Sequence, residues 1–329
     1  NDGGVLKGTN VLLRWAAGNA AGKTVTLEYF DGVAWSTIVS GVSADAGIYV
    51  WNTLPFPDSF SGRWRVVGGE DTNVWDQTDN PFQLRNLTKA FYVNDGSQTE
   101  DVYCGAIGLA GNDGLTTNTP KATLQQVLDA YDLEGGDAVY VDTGTYAATS
   151  NVRVIWSRSG DTNADVVIQG NPNGPYTVLT RTGSTNYPAI GLDVKASRIV
   201  FSDLAVQGPD RGLLMDSNRN ATVRGTLIRS AATGVAVENA VGFQMRNSAI
   251  VRPGIGVSLY NTRTSVLENL TFALPTQAGI QMAGTVADTL QNNIFVPGAG
   301  AYAYAIGGAT SLLSNAAMDF NLYDFGLAD

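Results

Sequence analysis

Four side chains that could do chemistry stand at the same point of a repeated sequence pattern. They recur at nearly equal intervals along the chain, and they are Lys195, Asp216, Glu238 and Tyr260. Asp193 lies two positions before the first of them. Neighbouring carboxylates oppose each other's ionisation, so a pair of them can supply an acid and a base. Retaining glycosidases hold such carboxyl groups about 5–5.5 Å apart, which is close to the spacing of adjacent strands.

The basic residue in this column favours a second interpretation. Lys195 would stand beside Asp216, and opposite charges in one column form a solvated ladder. A second column has the same character, because Arg224 and Arg246 precede Glu268. Each exposed pair adds less than about 1 kcal/mol, and we expect balanced ladders here. The face that remains for a carbohydrate or a calcium ion consists of Asp193, Asp216, Glu238 and Tyr260.

The columns follow from a repeat that runs from about residue 191 to about residue 295. Its first phrase begins at a glycine that recurs about every 22 residues, namely at Gly212, Gly234, Gly256 and Gly279. A second phrase begins about 11 residues after each glycine, midway through the repeat. Side chains alternate in polarity within the phrases, which is the period of a β-strand. Two short strands in so short a repeat leave no room for a helix, so each repeat predicts one turn of a parallel β-helix.

An asparagine column is expected along one edge of this coil. Stacked turns place equivalent residues about 4.7–4.9 Å apart. The residues of the column are Gly225, Asn247, Asn269 and Asn292. Their amides can hydrogen-bond from turn to turn at the bend between the strands.

Residues 1–86 differ from the repeat and contain five of the six tryptophans. Strand-like runs separated by turn residues cover Val11–Trp15, Thr24–Tyr29, Ala34–Val39, Gly47–Trp51 and Arg63–Val67. That spacing predicts an all-β sandwich. The runs beginning at Gly47, Gly62 and Asp79 resemble the Ig-like domain of secreted cell-wall proteins of the Ser/Thr-rich anchored class and of large bacterial surface proteins. This resemblance implies a spacer or binding module without catalytic residues.

One amphipathic helix is predicted at about residues 119–131. Thr119 is a candidate N-cap with Pro120 at the first helical position. We expect the helix to cover the apolar end of the first solenoid turn. The helix and the phrase that begins Gly136-Asp-Ala-Val-Tyr-Val resemble the N-terminal cap of right-handed parallel β-helix proteins of the pectate-lyase-like superfamily, and the resemblance extends over roughly residues 90–329.

That superfamily contains polysaccharide lyases and hydrolases that act on a polymer along an exposed strand face. Its lyases typically combine calcium-binding carboxylates with an Arg or Lys base, and its hydrolases use paired aspartates with a Gly-His-Gly. This sequence has no histidine and no clustered aspartate columns, so neither catalytic set transfers. A polysaccharide lyase or hydrolase, or a carbohydrate-binding β-helix protein, stays open as the alternative.

Composition excludes several functions. The formal net charge is −10 with only five lysines, so no basic patch can neutralise nucleic-acid phosphates or bind an anionic membrane. Without histidine, histidine-based triads and histidine zinc sites are excluded. No apolar run approaches the roughly 20 residues that span a bilayer. The low lysine content and abundant Gly, Asn and Thr suit an extracellular or cell-surface protein.

Two further features are expected to be structural. The loop at 94–112 contains Asp95, Glu100 and Asp101, which could gather oxygen ligands for calcium, but Asn112-Asp-Gly is first a turn signal. Cys104 is the only cysteine, which excludes an intramolecular disulfide. We expect a small buried side chain at Cys104 and not a nucleophile, because no histidine can activate it.

Together, the sequence predicts an all-β chain with an Ig-like β-sandwich at 1–86 and a right-handed parallel β-helix with its capping helix at 87–329. We expect a non-catalytic extracellular structural or adhesive protein, a segment of a larger cell-surface or filament-forming chain that continues or meets a partner beyond Asp329. The expected partners are further copies, neighbouring domains or, in the alternative, a polysaccharide. Nucleic acid, membrane insertion and cofactors other than calcium are not expected.

Overall fold

The computed structural model describes residues 5–6, 10–18, 21–160, 164–174, 176–182, 189–230, 232–296, 298–307, 317–319 and 321–323. The chain divides into two compact units, Asn1–Thr88 and Lys89–Asp329. Strands dominate both units, as predicted. Within the described ranges, no helix is long and apolar enough to cross a membrane.

The N-terminal unit consists of two sheets. Its strands are β1 (Val5–Leu6), β2 (Val11–Arg14), β3 (Thr24–Phe30), β4 (Trp35–Ser43), β5 (Ile48–Trp51), β6 (Ser59–Gly68), β7 (Trp75–Gln77) and β8 (Phe82–Leu84), with a 3-10 turn at Ala44–Ala46. The larger sheet has the order β1-β8-β6-β3-β4 with β7 paired to β6, and the smaller sheet pairs β2 with β5. The five predicted strand runs correspond to β2–β6 and are confirmed.

An aromatic core joins these two sheets. Tyr29 of β3 and Trp51 of β5 are buried, and their ring centroids are 5.1 Å apart. Phe56 packs edge-on against Trp51 with ring centroids 5.3 Å apart. Leu13 of β2 belongs to the same cluster. This arrangement is consistent with a β-sandwich, while the Ig-like type remains a prediction.

The second unit is a parallel β-helix with three sheets. A nine-stranded sheet contains β9 (Ala90–Val93), β10 (Ala138–Val141), β13 (Val166–Gln169), β16 (Ile199–Ser202), β19 (Thr222–Arg224), β22 (Gln244–Arg246), β25 (Val266–Glu268), β28 (Thr289–Gln291) and β31 (Ala317–Asp319). An eight-stranded sheet contains β11 (Gly144–Ala148), β14 (Thr177–Arg181), β17 (Leu204–Gly208), β20 (Leu227–Ser230), β23 (Ala249–Val251), β26 (Thr271–Ala273), β29 (Ile294–Val296) and β32 (Leu322–Tyr323). A seven-stranded sheet contains β12 (Val152–Val154), β15 (Ile190–Val194), β18 (Arg211–Asp216), β21 (Thr233–Glu238), β24 (Ile255–Tyr260), β27 (Ala278–Ala283) and β30 (Tyr302–Gly307).

Each repeat contains three strands, so the prediction of two strands per repeat was wrong. The second phrase divides into a strand of the nine-stranded sheet and one of the eight-stranded sheet. The bend falls on the asparagine column, where φ is +59° at Gly225, +49° at Asn247, +56° at Asn269 and +54° at Asn292. Asn and Gly are the residues that adopt this left-handed conformation most readily. The column therefore makes the corner and also forms the ladder, since Asn269 Nδ2 donates to Asn247 Oδ1 at 3.0 Å.

The glycine that opens each repeat is required by close packing. A Cβ atom on Gly234 would lie 2.5 Å from Ile250 Cγ2 and 2.6 Å from the carbonyl oxygen of Gly256. After this glycine the predicted strand is confirmed, but burial does not alternate along it. Val235 and Val237 are fully buried inside the coil, and Ala236 between them is also buried, in a separate cluster with Ile190 and Leu214.

The capping helix α1 spans Leu124–Ala130, so the predicted start at Thr119 was wrong. Thr123 is the N-cap and forms a capping box with Gln126. This sequence signature of a helix start was not used in the prediction. The hydroxyl of Thr119 instead donates to Asp113, and Lys121 pairs with Val93 of β9. The buried face of α1 consists of Leu124, Val127 and Leu128.

Candidate functional site

The seven-stranded sheet aligns the predicted chemical column. Asp216 of β18 pairs with Glu238 of β21, which pairs with Tyr260 of β24. Lys195 follows β15 immediately and continues the column. The predicted register is therefore confirmed, and the side chains form one row at the carboxyl ends of the strands. Asp193 stands in a neighbouring column two positions earlier, opposite Leu214.

Both carboxylates of this row have a basic partner. Lys195 Nζ lies 3.5 Å from Asp216 Oδ2, as the expected charge ladder requires. Arg211 Nη1 donates to Glu238 Oε1 at 2.8 Å. The second pair crosses the outer face from the start of β18 to the end of β21, over the middle column that holds Leu214. Each carboxylate of the row therefore has its own cationic partner, and the row is charge-balanced.

Asp193 is the carboxylate with the most unusual surroundings. Its side chain is 12% exposed, and Oδ1 accepts no hydrogen bond from the described residues. Oδ2 lies 3.7 Å from Arg153 Nε. Burial raises the pKa of Asp193, against the opposing effect of Lys195 and Arg153. These three charged side chains line a cavity of about 220 Å³, together with Val154 and Ile155.

Exposed aromatic rings stand at both ends of the row. Tyr260 is 58% exposed and Trp156 is 75% exposed. Trp156 opens the 3-10 turn Trp156–Arg158 just after β12, four strands away from Tyr260. At about 4.8 Å per strand, the row spans about 19 Å. A ring at each end of a polar strip is an arrangement that can hold an extended polar ligand.

The capping helix fixes the turn that carries Trp156. Arg158 is buried, and its Nε donates to the carbonyl oxygen of Leu128 at 2.9 Å. Its guanidinium also pairs with Asp132. The backbone N–H of Arg153 donates to Gln125 Oε1 at 2.8 Å. Sequence reasoning missed the connection between the helix and this face, because these contacts join residues that lie far apart in the chain.

The second predicted column of charged residues has a structural role. In the second charged column, Arg246 pairs with Glu268, and Gln291 Nε2 donates to the same carboxylate at 2.8 Å. This is the expected ladder. This column lies on the nine-stranded sheet, apart from the row on the seven-stranded sheet.

The acidic loop and Cys104 are held by the fold itself. Asp142 accepts hydrogen bonds from the backbone N–H groups of residues 102–104. Asp95 and Asp101 accept hydrogen bonds from Ser97 and Asn94. Among the described residues, no group of three His, Cys, Asp or Glu side chains could hold a metal ion. Burial raises the pKa of the Cys104 thiol, and the negative charge of Asp142 adds to the effect.

The three parallel sheets, each built from one strand of every turn, define this unit as a parallel β-helix. The family model described as "Periplasmic copper-binding protein (NosD)" matches residues 129–311, and the chain belongs to this family. No curated protein matches the sequence. Similar solved structures include an alginate lyase from Paenibacillus sp. str. FPU-7, with 17% identity over 61% of this chain and 72% of that chain and a TM-score of 0.48. The pectate lyase Pel9A has 14% identity over 74% of this chain and 82% of that chain, with a TM-score of 0.40. At such low identity these likenesses concern the fold alone.

Proposed function

We propose that this chain is a non-catalytic, polysaccharide-binding protein of the periplasm or cell exterior. One observation carries the proposal: a charge-balanced row runs along the carboxyl ends of the seven-stranded sheet, and two exposed aromatic residues, Trp156 and Tyr260, belong to the turn and the strand at its two ends. The family description supports the periplasmic location. Adhesion through a bound polysaccharide also agrees with the structural or adhesive role expected from the sequence, whereas assembly into filaments rests on the sequence alone.

The geometry suits an extended sugar polymer. Sugar rings present apolar C–H faces that pack on aromatic side chains, and their hydroxyl groups bond strongly to charged partners. Lys195 is 55% exposed at its side chain, and Arg153 is 67% exposed. Both charged heads are therefore accessible, and both line the cavity beside Asp193.

Binding is favoured over turnover by the pairing of the carboxylates. A general acid–base pair needs two groups whose protonation states differ, but Asp216 and Glu238 each have a cationic partner. The alternative, a polysaccharide lyase or hydrolase, is supported by one observation. Asp193 has a raised pKa and an oxygen without a hydrogen-bond partner among the described residues, so it could act as an acid.

The residues present do not fit the copper of the family description. Copper in proteins is held by His, Cys and Met ligands, and this sequence has no histidine. Met215, Met245 and Met282 are fully buried inside the coil. The single cysteine, Cys104, has a thiol whose pKa burial raises, which opposes the thiolate form that binds metals. We therefore assign no copper to the proposed function.

Affinity electrophoresis against a panel of neutral and acidic polysaccharides tests the proposal. Trp156→Ala and Tyr260→Ala should each weaken retardation by about tenfold, equivalent to about 1.4 kcal/mol. Trp75→Ala is the matched control, because Trp75 is 52% exposed on the N-terminal unit, and it should bind as the unmodified chain does.

Two results would overturn this reading. Binding that is unchanged in both aromatic variants, or absent for every polysaccharide, removes the proposed face. Release of unsaturated or reducing ends that disappears in Asp193→Asn would establish the enzymatic alternative in its place.

A further inference from the structure

The charged side chains of the seven-stranded sheet are confined to its first four strands. They occur on β12, β15, β18 and β21 or directly after β15, and they are Arg153, Asp193, Lys195, Arg211, Asp216 and Glu238. The last three strands, β24, β27 and β30, contain no charged residue. The face that we propose for a polysaccharide is therefore charged at one end and uncharged at the other.

A second cavity, of about 350 Å³, lies on the uncharged strands. Three of its lining residues form one column at the starts of these strands, since Ile255 pairs with Ala278 and Ala278 pairs with Tyr302. Gln281 lines the cavity from the middle of β27. It is exposed, whereas its two neighbours in the strand are fully buried inside the coil. The volume falls within the roughly 300–1,000 Å³ of small-molecule sites.

The turn before β27 supplies a second amide to this cavity, that of Gln277. The backbone N–H of Gln277 donates to the carbonyl oxygen of Gly254 at 2.8 Å, and its own carbonyl oxygen accepts from the N–H of Tyr302 at 2.9 Å. The backbone of Gln277 is thereby fixed to the turns before and after it, while its side chain is exposed. The side-chain amides of Gln277 and Gln281 make no hydrogen bond to another described residue, so both are available to a ligand.

The cavity continues the row without sharing a residue with it. Tyr260, the last residue of the row, belongs to β24, which is the first of the three strands that carry the cavity. Its partner on β27 is Ala283, and Gln281 lies two residues before that partner. With β27 and β30 included, the face covers six strand spacings, about 29 Å. A polymer that begins at Trp156 would reach the cavity by crossing the sheet obliquely.

We propose that this cavity binds an uncharged sugar unit of the polysaccharide, an inference that rests on the proposed function. Side-chain amides both donate and accept hydrogen bonds, as sugar hydroxyl groups do. The ring of Tyr302, which is 70% exposed, can pack on the C–H face of the sugar. A carboxylate or sulfate group would lose water here without gaining a cationic partner, because none of the described residues that line the cavity is charged. The bound polymer therefore contains uncharged units, and a polymer that is charged at every unit loses this contact.

Affinity electrophoresis with matched polymers tests the proposal. Hydroxyethylcellulose and dextran are uncharged, and carboxymethylcellulose and dextran sulfate are anionic derivatives of the same two backbones. The chain has a net charge of −10, so repulsion alone disfavours the anionic polymers, and the comparison between variants is decisive. Tyr302→Ala and Gln281→Met should each weaken retardation by the uncharged polymers by about threefold to tenfold. Neither variant should change retardation by the anionic polymers.

The matched control is Tyr176→Ala, because Tyr176 is 50% exposed and does not line this cavity. This variant should bind every polymer as the unmodified chain does. Unchanged retardation of Tyr302→Ala by both uncharged polymers would overturn this inference. If Trp156→Ala still weakens retardation in that case, the proposed function stands. Absence of retardation by every polysaccharide would instead remove the proposed function and, with it, this inference.

Discussion

Replacing Asp288 with Asn should stabilise the β-helix at neutral pH. Only 1% of Asp288 is exposed. Its oxygens accept hydrogen bonds from the backbone N–H of Ser265 at 2.7 Å and from Thr262 Oγ1 at 2.8 Å. Burial raises the pKa of Asp288, and these hydrogen bonds offset only part of the effect. Asn has nearly the same shape and can still accept from Ser265, but it has no charge to desolvate.

The size of the effect follows from proton linkage. Because the folded pKa of Asp288 lies above the unfolded value of about 3.9, its contribution to stability is fully present below that unfolded pKa. It is lost as the pH rises through the folded pKa. Within this window the folded chain holds one more proton than the unfolded chain, so the free energy of unfolding falls by about 1.4 kcal/mol per pH unit. The free energy of unfolding of D288N does not have this slope. Above the window, D288N should therefore be more stable than the unmodified chain by the whole amount that the unmodified chain has lost.

Urea unfolding of both chains from about pH 4 to about pH 8 measures the difference. All other titrating groups are common to both chains, so their contributions cancel when the two curves are subtracted. Asp129→Asn, on the exposed side of the capping helix, is the control and should not share the gain in stability of D288N at neutral pH. The reasoning fails if D288N is the less stable chain at neutral pH, or if its curve also runs parallel to the unmodified one.

Three further outcomes are expected. Gly234→Ala should lower the free energy of unfolding by about 1–3 kcal/mol, because the added Cβ atom would lie 2.5 Å from Ile250. The control is Gly18→Ala, whose Cβ atom would have no atom within 4 Å; its free energy of unfolding should change by less than about 0.5 kcal/mol in the same urea experiment. The raised pKa of Cys104 keeps its thiol protonated, so a thiol reagent at mildly alkaline pH should react about tenfold more slowly with the folded than with the unfolded chain. Arg158→Met should weaken polysaccharide retardation while Trp156 remains present, because the turn loses its bond to the capping helix; unchanged retardation would show that the turn is held by other contacts.

The sequence was most informative where a position recurs. The regular period of the repeat aligned Asp216, Glu238 and Tyr260 correctly, since parallel strands of equal repeats must pair in register. It could not reveal the bond from Arg211 to Glu238, which depends on how two long side chains cross a sheet. The start of the helix was missed for a local reason. The prediction took Thr119 as the cap and did not use the capping-box pair Thr123 and Gln126, and in the folded chain Lys121 pairs with Val93 before the helix begins.

Departures from the repeat are better guides to binding than its regular positions are. A regular position such as Asn269 is explained by the fold, because its left-handed backbone and its ladder bond both serve the corner. Gly225 satisfies the same backbone requirement at φ +59°, and Asp203 Oδ1 lies 2.5 Å from the place of its missing Cβ atom, so the fold explains this rung as well. Asp193 is different, because it replaces the apolar side chain that Leu214 supplies one strand later, at a mostly buried position. Leaving a polar oxygen buried without a partner costs stability, and a bound ligand that pairs with Asp193 would offset that cost. Urea unfolding and affinity electrophoresis of Asp193→Leu test this argument. The substitution should raise the free energy of unfolding and weaken polysaccharide binding.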